Sequence, residues 1–309
     1  EHQPDLLITL ESDSWWENKL SVIKKNYPYY IECPKDNRYG MHLYSKFKIL
    51  DAQICELIEE DIPSIHILFE NDEGLQMQGH FIHPAPPSPT EEDSSRPRDS
   101  ELIMVAKALK NPTRPTIVAG DLNDVAWSRS TRLFMQISGF LDPRKGRGFY
   151  NTFHASYFFM RWPLDHLFHS EGFKVKRIKR LAKYGSDHFA LLTELSYENA
   201  EQQSLEDKPE DLKHEEIQEL AMNKADKRKV PRFEEKLFTP CCTGFGITFT
   251  YPLPAGRTTA LSMALFSSWL LRLRSSNGSN ANAGSCPLPG LLHPASIAAT
   301  KTADMIFET

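Results

Sequence analysis

Residues 116–124 read TIVAGDLND. Thr116, Ile117 and Val118 have the branched, apolar character of a buried strand. The strand signal stops abruptly in Gly120, Asp121, Leu122, Asn123 and Asp124. Asp and Asn suit a tight turn, because both tolerate left-handed backbone and bond their own amides. They also supply the oxygens and amide that a hard cation or a phosphate needs at the end of a core strand. This stretch alone leaves turn and site both open, and the flanking sequence has to decide.

Around this stretch, short strands and helices alternate over the first two hundred or so residues. Residues 5–11, 40–45, 64–70, 75–83 and 163–170 read as strands, and 185–195 as a Gly-Ser turn leading into a last strand. NDEG at 71–74 is the turn of a hairpin. Ser14 is placed to cap a helix with Trp15, Leu20, Val22 and Ile23 on its apolar face, and Trp15 and Trp16 read as core. Residues 84–100 are Pro- and Ser-rich and read as an exposed loop. Asp99 or Ser100 then caps a helix with Leu102, Ile103, Val105, Ala106 and Leu109 inward, stopped at Asn111–Pro112. Ser128 caps another, with Gly139 just past its end. Hairpins mixed with βα alternation imply an α/β fold: two packed sheets with helices outside.

The 309 residues are 40% hydrophobic and 25% charged, the composition of a globular protein, with a formal net charge of −5. No global positive field advertises nucleic-acid binding. Five scattered cysteines form neither a metal pattern nor a secreted disulfide framework. No signal peptide and no membrane span is read, since ALSMALFSSWLL at 260–271 is too short to cross. The compartment stays open, between cytoplasmic and membrane-associated in a longer form. Residues 198–236 are dominated by Glu, Lys, Asp and Gln, with a helix expected at 212–222. Residues 237–309 are rich in Gly, Ser, Asn, Ala and Pro and read as a low-complexity or disordered tail.

Polar groups recur where strands begin or end: Glu11, His83, Asp121 with Asn123, Asp165 with His166, and Asp187 with His188. Together they are the inventory of metal-assisted phosphodiester hydrolysis. Carboxylates suit a hard divalent ion. A His beside a carboxylate can orient water and move a proton. An amide and imidazoles can stabilise the charge that gathers on phosphate.

In this order LITLESDSWW, GMHLYSK, HPAPPS, VAGDLND, PLDHLFHS and GSDHFAL resemble the motifs of the endonuclease/exonuclease/phosphatase superfamily, the fold of pancreatic-type deoxyribonuclease and exonuclease III. The likeness is to bacterial members usually given only the superfamily name, and it covers roughly residues 1–197. It implies a four-layer sandwich: a two-sheet core flanked by helices. It implies that Glu11 ligates Mg²⁺, or Mn²⁺ in its place, with Asp187 supporting the metal side. His83 would contact the scissile phosphate and help the leaving group. Asp121 would position or activate water or hold metal, and Asn123 would bond the phosphate. Asp165 would orient His188, itself a base or a phosphate contact. His80 competes with His83 for its role, and His166 and His169 read as structural or rim residues.

Two departures accompany the likeness. The family's first strand, which carries an Asn near the metal, has no counterpart before Glu11, so a central strand is expected to be missing. The Pro of the family's SDHxPL motif is Ala190 here. The expected substrate is a phosphate ester, with nucleic acid modestly ahead of a phospholipid headgroup, and the expected state is a monomer with no obligate protein partner. An inactive, truncated family member is the contrasting expectation. The basic run KVKRIKRLAK, 174–183, is either a solvated strand face or a phosphate contact, and SYFFMRW, 156–162, either packs, stacks on a base or meets a lipid.

Overall fold

The computed structural model describes residues 2–86, 95–198, 230–231 and 261–267. Along the described chain run β1 (Leu6–Leu10), α1 (Ser14–Leu20), β2 (Tyr29–Cys33), β3 (Met41–Ser45), β4 (Lys48–Glu56), β5 (Pro63–Glu70), β6 (Gln76–Phe81), α2 (Arg96–Ala108), β7 (Thr116–Asp121), α3 (Arg129–Ser138), β8 (Asp165–His169), β9 (Phe173–Arg180), β10 (Leu191–Tyr197) and β11 (Leu261–Ser267). They form a six-stranded sheet in the order β2-β3-β1-β11-β10-β9 and a five-stranded sheet in the order β4-β5-β6-β7-β8. The expected two-sheet sandwich is the observed fold.

The period-2 alternation of strands builds the layers. Leu6, Ile8 and Leu10 of β1 meet Ile65, Ile67, Phe69, Ile117 and Ala119 of the second sheet in one buried cluster between the sheets. Val118 points the other way and joins Leu102, Val105 and Ala106 of α2 and Phe134 and Met135 of α3. This double covering is why β7 is buried along its whole length.

Local signals set the helix ends. The Ser128 hydroxyl accepts from Thr131 N at 2.9 Å, and Gly139 closes α3 at φ 76°. α2 starts at Arg96, ahead of the expected caps, since Pro97 is well suited to a helix's first turn. At α1 the cap is Asp13, which accepts from Trp15 N and Trp16 N, rather than Ser14. The core placement of the tryptophans needs correcting for both: Trp15 is 49% exposed, Trp16 is half-buried, and no residue of α1 is buried. A helix of seven residues has little face to bury, and the two indoles cover each other edge-on at 4.9 Å.

The largest departure from expectation concerns the sheet's centre. No gap lies beside β1: β11 fills it, parallel to β1 (Ile8↔Leu265) and antiparallel to β10 (Leu192↔Ala264). So residues 261–267, expected in a structureless tail, form a central strand. A strand hydrogen-bonded on both sides satisfies its backbone completely, which a few apolar residues suffice to exploit. The expected helix at 212–222 and nearly all of the linker 198–236 lie outside the described residues.

Gly120 shows how tightly β7 is fitted. A Cβ there would lie 1.8 Å from the Ile82 carbonyl oxygen, and its φ is +154°. Backbone meets backbone, so no rotamer change relieves it. Gly120→Ala is expected to destabilise the domain by about 3 kcal/mol or more, read as a lowered denaturant midpoint. A midpoint within error of wild type would refute this packing.

Candidate active site

The second sheet's register assembles the first half of the site. Asp121, at the end of β7, pairs directly with Asp165, at the start of antiparallel β8. Like charges placed opposite each other repel. His188, just ahead of β10 in the other sheet, answers them: its Nδ1 lies 2.7 Å from Asp165 Oδ2 and its Nε2 3.5 Å from Asp121 Oδ2. All three side chains are almost fully buried. Burial lowers the His188 pKa, but Asp165 and Asp121 outweigh it and push the ring up to about 10. Asp121 is pushed up to about 7, by burial first and Asp165 next, against the pull of His188.

Asn123 is fixed by backbone geometry. It sits at φ 49°, its N–H donates to Asp121 Oδ1 at 2.9 Å and its side-chain amide nitrogen to the Pro84 carbonyl at 3.0 Å. The turn and the site are thus one object. His83 is buried, its ring 5.3 Å from that of Tyr39, and its Nδ1 has no hydrogen-bond partner. Burial and then the charge of His188 hold its pKa down at about 4, so it is neutral. His80 is not in the site: its Nδ1 bonds His66 Nδ1 at 2.8 Å inside the second sheet.

Glu11, at φ 57° just past β1, brings a third carboxylate from the first sheet. Burial, then Asp121 and Asp187, push its pKa up to about 9. Asp187 is half-buried and also raised, by burial first. Among the described residues, Asp121, Asp165 and His188 are the one group of potential metal donors whose atoms converge within 4.8 Å. Asp165 and His188 already bond each other, an arrangement able to handle protons and charge. Glu11, Asp121 and Asp187 repel one another through an all-oxygen donor set, which fits a hard divalent cation.

Several supports were invisible in the sequence. Arg98, in α2, donates to the Asn123 carbonyl at 2.6 Å and pairs with Asp99, while Asp99 accepts from Ser130. Asp124 supports rather than acts: it accepts from Ser128 and pairs with Arg98 at 3.6 Å. His166 is structural, lying between the Asp124 carbonyl at 2.9 Å and Arg144 at 2.7 Å. Phe153 lays its ring 5.0 Å from that of His188. Asp124 and His166 stand out in the sequence because both adjoin motifs, and Asp99 only as a helix-cap candidate. On β9, Lys174 pairs with Glu198 and Arg177 with Glu194, which supports a solvated strand face for that basic run.

The sequence model described as the Endonuclease/Exonuclease/phosphatase family matches residues 1–188. The chain belongs to the endonuclease/exonuclease/phosphatase family. Family members are hydrolases of phosphate esters and generally depend on a divalent metal. Solved structures agree on the fold. The human Nocturnin catalytic domain with bound sulfate is 19% identical, with a TM-score of 0.51 over 63% of this chain and 82% of that one. An endonuclease/exonuclease/phosphatase protein of Bacteroides vulgatus is 19% identical, with a TM-score of 0.53 over 64% and 86%. D. rerio TDP2, complexed with a single-strand DNA product, is 15% identical, with a TM-score of 0.51 over 61% and 84%. At these identities the likeness is one of fold. A comparison with curated proteins returned no match.

Proposed function

We propose that the protein hydrolyses phosphodiesters by in-line attack of water with a divalent metal, Mg²⁺ or Mn²⁺. The observation that carries this reading is His188 held between Asp165 and Asp121. Two carboxylates keep the imidazole cationic near neutral pH, so it donates a hydrogen bond to a phosphate oxygen as negative charge builds there. Asp121, whose pKa burial holds above the usual carboxylate range, takes the proton of the attacking water. Asn123 bonds a second phosphate oxygen. His83, neutral and lacking a partner at Nδ1, steadies the leaving oxygen. Glu11 and Asp187, with Asp121 beside them, would hold the cation, which supplies charge neutralisation at the phosphate.

The same groups set a pH dependence. In metal-free protein the folded pKa of Glu11 is about 9 and that of His188 about 10, above their ordinary values of 4.5 and 6.5. Groups raised in this way stabilise the fold below their ordinary pKa values and lose that contribution as pH climbs through the raised ones. Metal-free protein is therefore expected to melt lower at pH 9 than at pH 6. The rise in melting temperature on adding Mg²⁺ is expected to be larger at pH 9, because the cation replaces protons. Equal Mg²⁺ shifts at both pH values would argue against these carboxylates as the ligands.

The direct test is hydrolysis of bis(p-nitrophenyl) phosphate with Mg²⁺, with Mn²⁺ and with chelator. Turnover that the chelator removes and either ion restores is expected. A folded protein with no turnover and no Mg²⁺ heat of binding would overturn the proposal and favour an inactive family member.

A further inference from the structure

Nine large apolar side chains are exposed among the described residues, and seven of them gather beside the site. The centre of the group is a hairpin rooted on the catalytic strand end. Its stem closes through Thr152 N and Phe153 N to the Trp162 carbonyl, both at 3.0 Å, and through His154 N to the Met160 carbonyl at 3.0 Å. Phe153 forms a bridge with His188, and Ala155 N donates to the Asp187 carbonyl at 2.6 Å. The tip then presents Tyr157, Phe158, Phe159 and Met160, with Phe158 79% and Phe159 71% exposed. Trp127 continues the surface, 5.5 Å from Phe149 and 6.4 Å from Trp162 between ring centroids.

Charge follows the same boundary. Residues 143–164 hold four Arg or Lys and no Asp or Glu, in a chain whose net charge is −5. Arg161 stacks on Phe189, and Lys183 donates to Ser156 at 2.8 Å, so both cations stand at the foot of the tip and not on it. We infer that this hairpin docks the protein on the headgroup layer of a lipid membrane. The apolar tip enters the acyl boundary, the Trp and Tyr rings lie at headgroup level, and the cations meet lipid phosphates. The layering distinguishes this partner from a polynucleotide, whose bases stack on ring faces along a basic groove. Here Phe158 and Phe159 pack against each other at 89°, and the tip itself carries no charge. The phosphoester to be cleaved then belongs to a lipid headgroup, a consequence that rests on the proposed function above.

The test uses the full chain and vesicles of phosphatidylcholine with about one fifth phosphatidylserine. Co-sedimentation and a blue shift of tryptophan emission are expected. The Phe158→Ser/Phe159→Ser protein is expected to lose about tenfold or more in vesicle partitioning while keeping the wild-type melting temperature. Val22→Ser, which alters an exposed apolar residue of another segment, is expected to bind as wild type does. The proposal is overturned if the full chain stays in the supernatant, or if the double variant sediments as wild type does. It is equally overturned if a single-stranded oligonucleotide, and no vesicle, is bound through Phe158 and Phe159. Binding is read without turnover, so these failures leave the hydrolysis of bis(p-nitrophenyl) phosphate standing as a separate question.

Discussion

His188→Ala is expected to lower kcat on bis(p-nitrophenyl) phosphate by about a thousandfold, with a much smaller change in KM. The ring is the cation between two buried carboxylates, so under the proposed mechanism its loss removes the donor to the developing phosphate charge. It also leaves Asp121 and Asp165 directly opposed without a counter-charge, which raises the pKa of the pair further. The pH-activity profile of any residual turnover should therefore move upward. Asp165→Asn keeps a hydrogen-bonding partner for Nδ1 but not its charge, and a loss of about tenfold to a hundredfold is expected. Asp121→Ala should cost at least as much as His188→Ala, because it removes the group proposed to accept the proton. Melting curves separate these losses from unfolding. If folded His188→Ala retained activity within about threefold of wild type, the assignment would be wrong.

Breaking β11 is expected to cost the fold itself. Ala264 pairs with Leu7 on one side and Leu192 on the other. Ala264→Pro removes an N–H from the middle of a sheet and fixes a φ that a central strand does not adopt, a cost of about 3 kcal/mol or more. Against a domain stability of about 5–15 kcal/mol, that is a large share. A chain ended after residue 198 loses the strand altogether and leaves the facing edges of β1 and β10 unpaired, so aggregation or loss of the cooperative melt is expected. A synthetic peptide containing residues 261–267 should restore the melt in trans. A wild-type melting temperature in both the proline variant and the shortened chain would show that this strand is dispensable.

Legibility in the sequence followed locality. The strand ends carrying Glu11, Asp121, Asn123 and Asp165 were readable because an apolar run that stops in acids is a local event. The Ser128 cap and Gly139 stop of α3 were readable for the same reason. Trp15 was misplaced because composition says how apolar a side chain is, not whether a short helix has a partner to cover it. His80 lies in β6 and His83 just past its end, and the pairing of His80 with His66 in the neighbouring strand separates them. Arg98 gave no signal, since its target is the Asn123 carbonyl, 25 residues along the chain.

From the sequence alone came the family, the two-sheet class and a set of candidate site residues, because motif order and strand period are properties of the chain. Tertiary structure alone decided that His188 faces Asp165 across 23 residues, that the ring is cationic, that the apolar hairpin stands beside the site, and that residues 261–267 complete the central sheet. The reason is physical. A pKa depends on which charges and how much burial surround a group. A central strand is chosen by the unpaired edges it satisfies, and neither is written in any local window of sequence.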